Sequence, residues 1–274
     1  GLELGGGKSA RTSLVALDYF PFENKIFLVD YLSQIQGNKE FTGDEVLLEH
    51  IARFAPSYVG INAPLTLAPC VTCKLKCPTF QKCEVPQVKW MRKEARKMDL
   101  WPVKFPTPYT QRPMDLALRS RLQENFNLQI PVEETLGSGK APLTLRLQYL
   151  LRHMNYKKII EVNPRLALAG IAPWYDISDR FLRRYRNIDE GIDYRMGMID
   201  QLSKGVKGLP HLFLYNEDLP EIAGDLALFD ALLCALMAAY QCADLLQDIG
   251  GDYDSAWGTL AIPPFLRVRE RNTK

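Results

Sequence analysis

Residues 226–243 contain only two plainly polar side chains, Asp230 and Gln241. A stretch that apolar has to be covered on all sides, by lipid or by other protein, because its surface is unfavourable in water. It approaches the length of a membrane span. Six of its residues are alanine, however, and a carboxylate sits one turn in. A charge inside a bilayer is expensive, so the segment reads as a buried helix at the centre of a soluble protein. No membrane partner is expected.

The rest of the chain supplies a sheet for that helix to cover. Residues 1–4 form a strand stub before a Gly5-Gly6-Gly7 turn, and 12–20 and 25–32 alternate with β-branched and aromatic residues. A helix capped by Thr42 or Asp44 places Val46, Leu47, Ile51 and Phe54 on one side. Short strands are expected at 57–61 and 158–162, helices at 114–126 and 143–154, an arginine-rich helical stretch to 195, and a closing strand at 257–262. Strands and helices in this succession predict an α/β fold with a mixed sheet flanked by helices. The chain has 274 residues, 47% of them hydrophobic and 24% charged, which excludes wholesale disorder. A single domain over 1–274, with an inserted cysteine-rich basic subregion at 69–112, is the economical organisation.

Three acids stand where an ordinary core would not hold them. Glu3 lies in Gly-Leu-Glu-Leu-Gly, Glu161 in Ile-Ile-Glu-Val-Asn-Pro, and Asp230 in the apolar helix. A buried carboxylate costs several kcal/mol unless it is paired or bound to a cation. Two acids on strand ends and one on a covering helix are expected to converge on a divalent cation, and oxygen ligands suit Mg²⁺ or Mn²⁺. The three histidines (His50, His153, His211) are too dispersed to suggest a histidine-rich site.

The chain resembles the RNase-H-like fold, and in particular the domain of unknown function 429 family, generally described as predicted nucleases. The resemblance is carried by Gly-Leu-Glu-Leu-Gly at 1–5, Ile-Asn-Ala-Pro-Leu at 61–65 and Glu-Val-Asn-Pro-Arg at 161–165. Asp-Ala-Leu-Leu-Cys-Ala at 230–235 and Trp-Gly-Thr-Leu-Ala-Ile-Pro at 257–263 complete the ordered set. It implies that Glu3, Glu161 and Asp230 hold the family's acidic positions, with Asn62 as a fourth site residue. Glu3 replaces the usual Asp and keeps the charge. Asn62 replaces the acid of Asp-Ala-Pro-Leu and loses one. The implied activity is divalent-metal-dependent hydrolysis of phosphodiester bonds in DNA or RNA. The alternatives are a nucleic-acid-binding protein whose acidic site has decayed, or a nucleotide-processing enzyme on a related sheet.

Cys70, Cys73, Cys77 and Cys83 fall within fourteen residues, spaced C-x₂-C-x₃-C-x₅-C. Nothing in the sequence suggests secretion: no charged segment followed by an apolar run and a cleavage site opens it. Disulfides are therefore not favoured, and the cytoplasm is the expected location. Zinc sites more often use two knuckles separated by a longer loop. Four thiolates in one loop, with Pro78 after the third, suit a [4Fe–4S] cluster better. Zn²⁺ is the alternative, and either would be a structural clip. Cys234 and Cys242 read as small core residues.

The net charge of +2 implies no polyanionic partner, but its distribution is uneven. Residues 70–121 carry twelve Lys and Arg against four Asp and Glu, interleaved with Phe80, Trp90, Trp101, Phe105 and Tyr109. Lys89, Arg92, Lys93 and Arg96 are the expected nucleic-acid contacts, with the aromatics available to stack on bases. Arg180, Arg183, Arg184 and Arg186 read as a solvated face. Gly5-Gly6-Gly7-Lys8-Ser9 and Gly137-Ser138-Gly139-Lys140 both lack the earlier glycine of a phosphate-binding loop.

Overall fold

The computed structural model describes residues 1–6, 11–98, 105–125, 132–154, 158–247 and 252–263. Six strands among them form one mixed sheet: β1 (Leu2–Glu3), β2 (Ser13–Phe20), β3 (Lys25–Leu32), β4 (Val59–Ile61), β5 (Ile159–Glu161) and β6 (His211–Phe213). Their order is β5-β4-β1-β2-β3-β6. β2 is antiparallel to both of its neighbours and every other pairing is parallel. Five strands therefore run one way and β2 alone runs the other.

Helices cover both faces. On one, Leu47 of α1 (Gly43–Phe54) and Leu147 and Leu150 of α5 (Ala141–Leu150) pack on Leu2, Leu4, Leu14, Ile61 and Ile159. α1 begins where expected, with Thr42 and Glu45 exchanging hydrogen bonds in a capping box. The opposite face belongs to α10 (Leu226–Cys242), which lies across β1, β2 and β4. Around it α6 (Pro164–Ile171), α8 (Gly191–Leu202) and α9 (Leu219–Gly224) enclose Val15, Ile26, Leu28 and Val162. The approach is close: a Cβ on Gly60 would stand 2.2 Å from the carbonyl oxygen of Cys234. Only glycine allows β4 so near the helix. Among the described residues no helix is long and apolar enough to cross a membrane.

The cysteine-rich subregion contributes α2 (Pro69–Thr72) and α3 (Pro86–Lys97), and α4 (Pro113–Asn125) follows. Trp90, Met91 and Ala95 of α3 pack on Leu116 and Ala117 of α4, with Tyr253 and Trp257 against them.

Two expectations of secondary structure need correction. The strand expected at 257–262 is a 3₁₀ turn (Ser255–Trp257) and an extended segment that, among the described residues, holds one bridge, Gln247 to Ile262. Gly258, at φ 126, turns the chain where a ladder would begin. The arginine-rich stretch to 195 is divided among α6, a 3₁₀ turn at Ala172–Tyr175, α7 (Asp179–Arg184) and α8, with Pro173 and a left-handed Asp176 at the break. β6 and α9 had no expectation, since a three-residue strand carries too little periodicity to read.

Candidate functional site

Parallel pairing of β1 with β4 sets Leu2 beside Ile61, so the next residues, Glu3 and Asn62, emerge level with each other. Strand alternation turns both away from Leu2 and Ile61, toward α10. Asn62 Nδ2 donates to Glu3 Oε2 at 2.5 Å, and Asn62 Oδ1 accepts from Lys140 Nζ at 2.7 Å. α10 brings Asp230 to the same place, 1% exposed. Its Oδ2 accepts from Arg186, while Oδ1 is buried with no hydrogen-bond partner.

Burial first, and then the charge of Asp230, pushes Glu3 up to about 8, against the pull of Lys140, Asn62 and Arg186. Burial also pushes Asp230 up to about 6, although Arg186, Lys140 and Arg165 draw it down. Arg186 is oriented from behind by Tyr185, whose hydroxyl accepts from its Nε at 2.9 Å. The Tyr185 carbonyl in turn accepts from the buried Arg195. The arrangement is two carboxyls and an amide, with three cations, Lys140, Arg165 and Arg186, near enough for their charge to act on Asp230.

Glu161 does not join them. Ile61 pairs with Glu161, so the residue level with Glu3 and Asn62 is Val162, just beyond β5. Glu161 points to the α1/α5 side, where it accepts from Arg112 through both oxygens at 2.7 Å and from the Leu65 amide at 2.8 Å. Arg112 also reaches Asp115 Oδ1 at 2.8 Å, and Thr135 donates to Asp115 at 2.9 Å. Burial pulls the Arg112 guanidinium down, but Glu161 and Asp115 outweigh it and hold it above its usual value. The expected convergence of three acids is thus a convergence of two, and the third ties the start of α4 to the sheet. Among the described residues no group of three or more His, Cys, Asp or Glu stands at metal-ligating spacing.

The four cysteines of the subregion are unbridged, and among the described residues they do not stand at metal-ligating spacing. Cys70, Cys77 and Cys83 line one hollow of about 420 Å³ with Phe80, Val88 and Phe105. Burial raises the Cys70 thiol, and Cys83, Cys77 and Cys73 add to the rise in that order. Of the other two, Cys234 is buried as expected, whereas Cys242 is exposed at the end of α10.

The basic face is less bare than its sequence. Lys89 pairs with Glu84 at 2.8 Å and Lys93 with Asp252 at 2.8 Å. Arg92 donates to the Phe80 carbonyl at 2.5 Å. Arg96 is exposed. Trp90 is a core residue against Tyr253 and Trp257, so it offers no face to a base. Phe105 and Tyr109 are exposed, and Trp101 lies outside the described residues.

Sequence reasoning missed Lys140, Arg165, Arg186 and Arg112. Lys140 closed a glycine-rich turn set aside because it failed as a phosphate-binding loop, and Arg186 sat in a run read as solvated. No protein-family profile, curated protein or solved structure matches the chain.

Proposed function

We propose that the chain is a divalent-metal-dependent nuclease of RNase-H-like fold, hydrolysing phosphodiester bonds of nucleic acid at Glu3, Asp230 and Asn62. The observation that carries the reading is Asp230 Oδ1, a buried carboxylate oxygen without a partner, beside the half-buried carboxyl of Glu3. Such an oxygen is costly unless something positive completes it. Two carboxylates and an amide oxygen suit one Mg²⁺ or Mn²⁺. They do not suit two, because Asn62 is uncharged and Glu161 is engaged by Arg112. The order β5-β4-β1-β2-β3, with β2 reversed and acids at the end of β1 and on the covering helix, supports the RNase-H-like assignment.

When bound, the cation would lower the pKa of a water and neutralise charge on the phosphate. In the net reaction the water oxygen bonds to phosphorus and the phosphorus–oxygen bond to the sugar breaks. The water's proton ends on the departing oxygen, leaving a phosphate monoester and an alcohol. Glu3 and Asp230 would hold the cation, and Lys140, Arg165 and Arg186 would offset charge on the phosphate. The DNA or RNA strand would extend over Lys89, Arg92, Lys93 and Arg96, with Phe105 and Tyr109 as stacking surfaces. A [4Fe–4S] cluster, or alternatively Zn²⁺, held by Cys70, Cys73, Cys77 and Cys83 would fix the shape of the subregion, in a cytoplasm where thiols stay reduced.

One observation favours a second reading, a non-catalytic nucleic-acid-binding protein. Lys140 and Arg186 already offset the charges of Glu3 and Asp230 within the protein. Assay of single- and double-stranded DNA and RNA with Mn²⁺, for wild type and Asp230→Asn, separates the two. Cleavage by wild type alone supports the nuclease; binding without cleavage supports the binder.

A further inference from the structure

Lys140 stands against Asn62, the uncharged member of the site. Its ammonium donates to Asn62 Oδ1 at 2.7 Å and approaches the Asn62 carbonyl oxygen at 3.5 Å. Among the described residues no carboxylate lies within salt-bridge distance of Lys140; its partner is a neutral amide, so its charge remains uncompensated at short range. Its field nevertheless reaches both Glu3 and Asp230.

The backbone at Lys140 is fixed. Its carbonyl accepts from the Thr144 amide at 2.8 Å and from Thr144 Oγ1 at 3.0 Å. Ser138 folds the preceding turn back onto the Glu134 carbonyl at 2.9 Å. α5, which begins at the next residue, is anchored by Leu147 and Leu150 in the core. A lysine is an entropically expensive group to hold in place, and here a glycine-flanked turn and a packed helix hold its Cα against the acidic site.

We propose that Lys140 binds a non-bridging oxygen of the substrate phosphate and acts as the second positive centre of the site, in place of a second divalent cation. The proposal rests on the nuclease reading for its substrate, a nucleic-acid phosphodiester. Three observations meet in it. The residue level with Glu3 is an uncharged amide, Asn62, that amide presents its oxygen to an ammonium, and the unpartnered Asp230 Oδ1 marks where a single metal ion would be completed. An ammonium carries one positive charge and three donors, so it needs no carboxylate ligand where a second metal would. The part of Lys140 is to offset charge on the phosphate.

The variant is Lys140→Gln, which retains an N–H donor for Asn62 and removes only the charge, with Lys140→Arg as the charge-keeping control. Three measurements are made on full-length protein with its cysteine site loaded. In EDTA, affinity for a labelled single-stranded oligonucleotide, as DNA and as RNA, should fall about tenfold in Lys140→Gln. Its salt slope should fall by about 0.7, one phosphate contact. Lys140→Arg should retain most of both. Electron paramagnetic resonance should count one Mn²⁺ per chain in wild type and in Lys140→Gln. The double variant Asn62→Asp/Lys140→Gln, which adds an acid, should take up two and cleave. Unchanged affinity and salt slope in a Lys140→Gln protein that melts like wild type would overturn the proposal, as would two Mn²⁺ per wild-type chain. If wild type cleaves nothing, the nuclease reading fails, and the EDTA binding arm still decides whether Lys140 contacts phosphate.

Discussion

Glu161 and Arg112 form a two-pronged ion pair, 2.7 Å at each oxygen, on the face of the sheet opposite Glu3. The pair is buried, and Asp115 extends it to a triad. Removing one member of such a set leaves an uncompensated charge in the interior and costs about 3–5 kcal/mol. Glu161→Ala is expected to lose stability on that scale, and Glu161→Ala/Arg112→Met to recover part of it, both read from urea unfolding. A Glu161→Ala protein as stable as wild type but unable to cleave would return Glu161 to the chemistry.

The acidic pair at Glu3 and Asp230 makes stability depend on pH in a defined direction. Both groups hold their protons more tightly in the folded protein than the ordinary 4.5 and 3.8 would allow, Glu3 to about 8 and Asp230 to about 6. A group raised in this way stabilises the fold fully below its unfolded value and loses that contribution as pH rises through the folded one. Metal-free protein should therefore melt at falling temperatures from pH 4.5 to pH 8, and Glu3→Gln should flatten the upper part of the fall. Saturating Mn²⁺ should lift the melting temperature most at the alkaline end. A melting temperature that rises across this range in EDTA would contradict the arrangement.

Much of this was legible in the residues. The apolar run with its single acid forced a central buried helix, and Glu3 and Asp230 were marked by chemistry that apolar surroundings make expensive. Register was not legible. Glu161 ends its strand as Glu3 does, but it pairs with Ile61 rather than Asn62, and a shift of one residue moves a side chain to the other face. The partner that gives Glu161 its structural role, Arg112, lies 49 residues away in a basic segment whose charge suggested a different use. Lys140 was hidden for a similar reason: a turn judged against a known phosphate loop gave no sign of the sheet end it faces.

The four thiols of the subregion carry their own test. Protein purified without oxygen is expected to be brown, to absorb broadly near ~400 nm, and to contain iron and sulfide. Cys73→Ser or Cys77→Ser should bleach it and open the subregion to protease, while Mn²⁺ binding at Glu3 and Asp230 persists. A colourless protein with one zinc per chain would assign the alternative metal. Cysteines without any metal in anaerobic protein would remove the metal centre.

The central claim is that Glu3 and Asp230 form one cation-dependent cleavage site, and cleavage of labelled DNA and RNA with and without Mn²⁺ tests it most directly. Wild type should cleave only with the cation. Asp230→Asn, which removes a carboxylate already disfavoured by burial, should stay folded and lose at least about a hundredfold in rate. Undiminished cleavage by a folded Asp230→Asn protein, or cleavage by wild type that persists in EDTA, would contradict it.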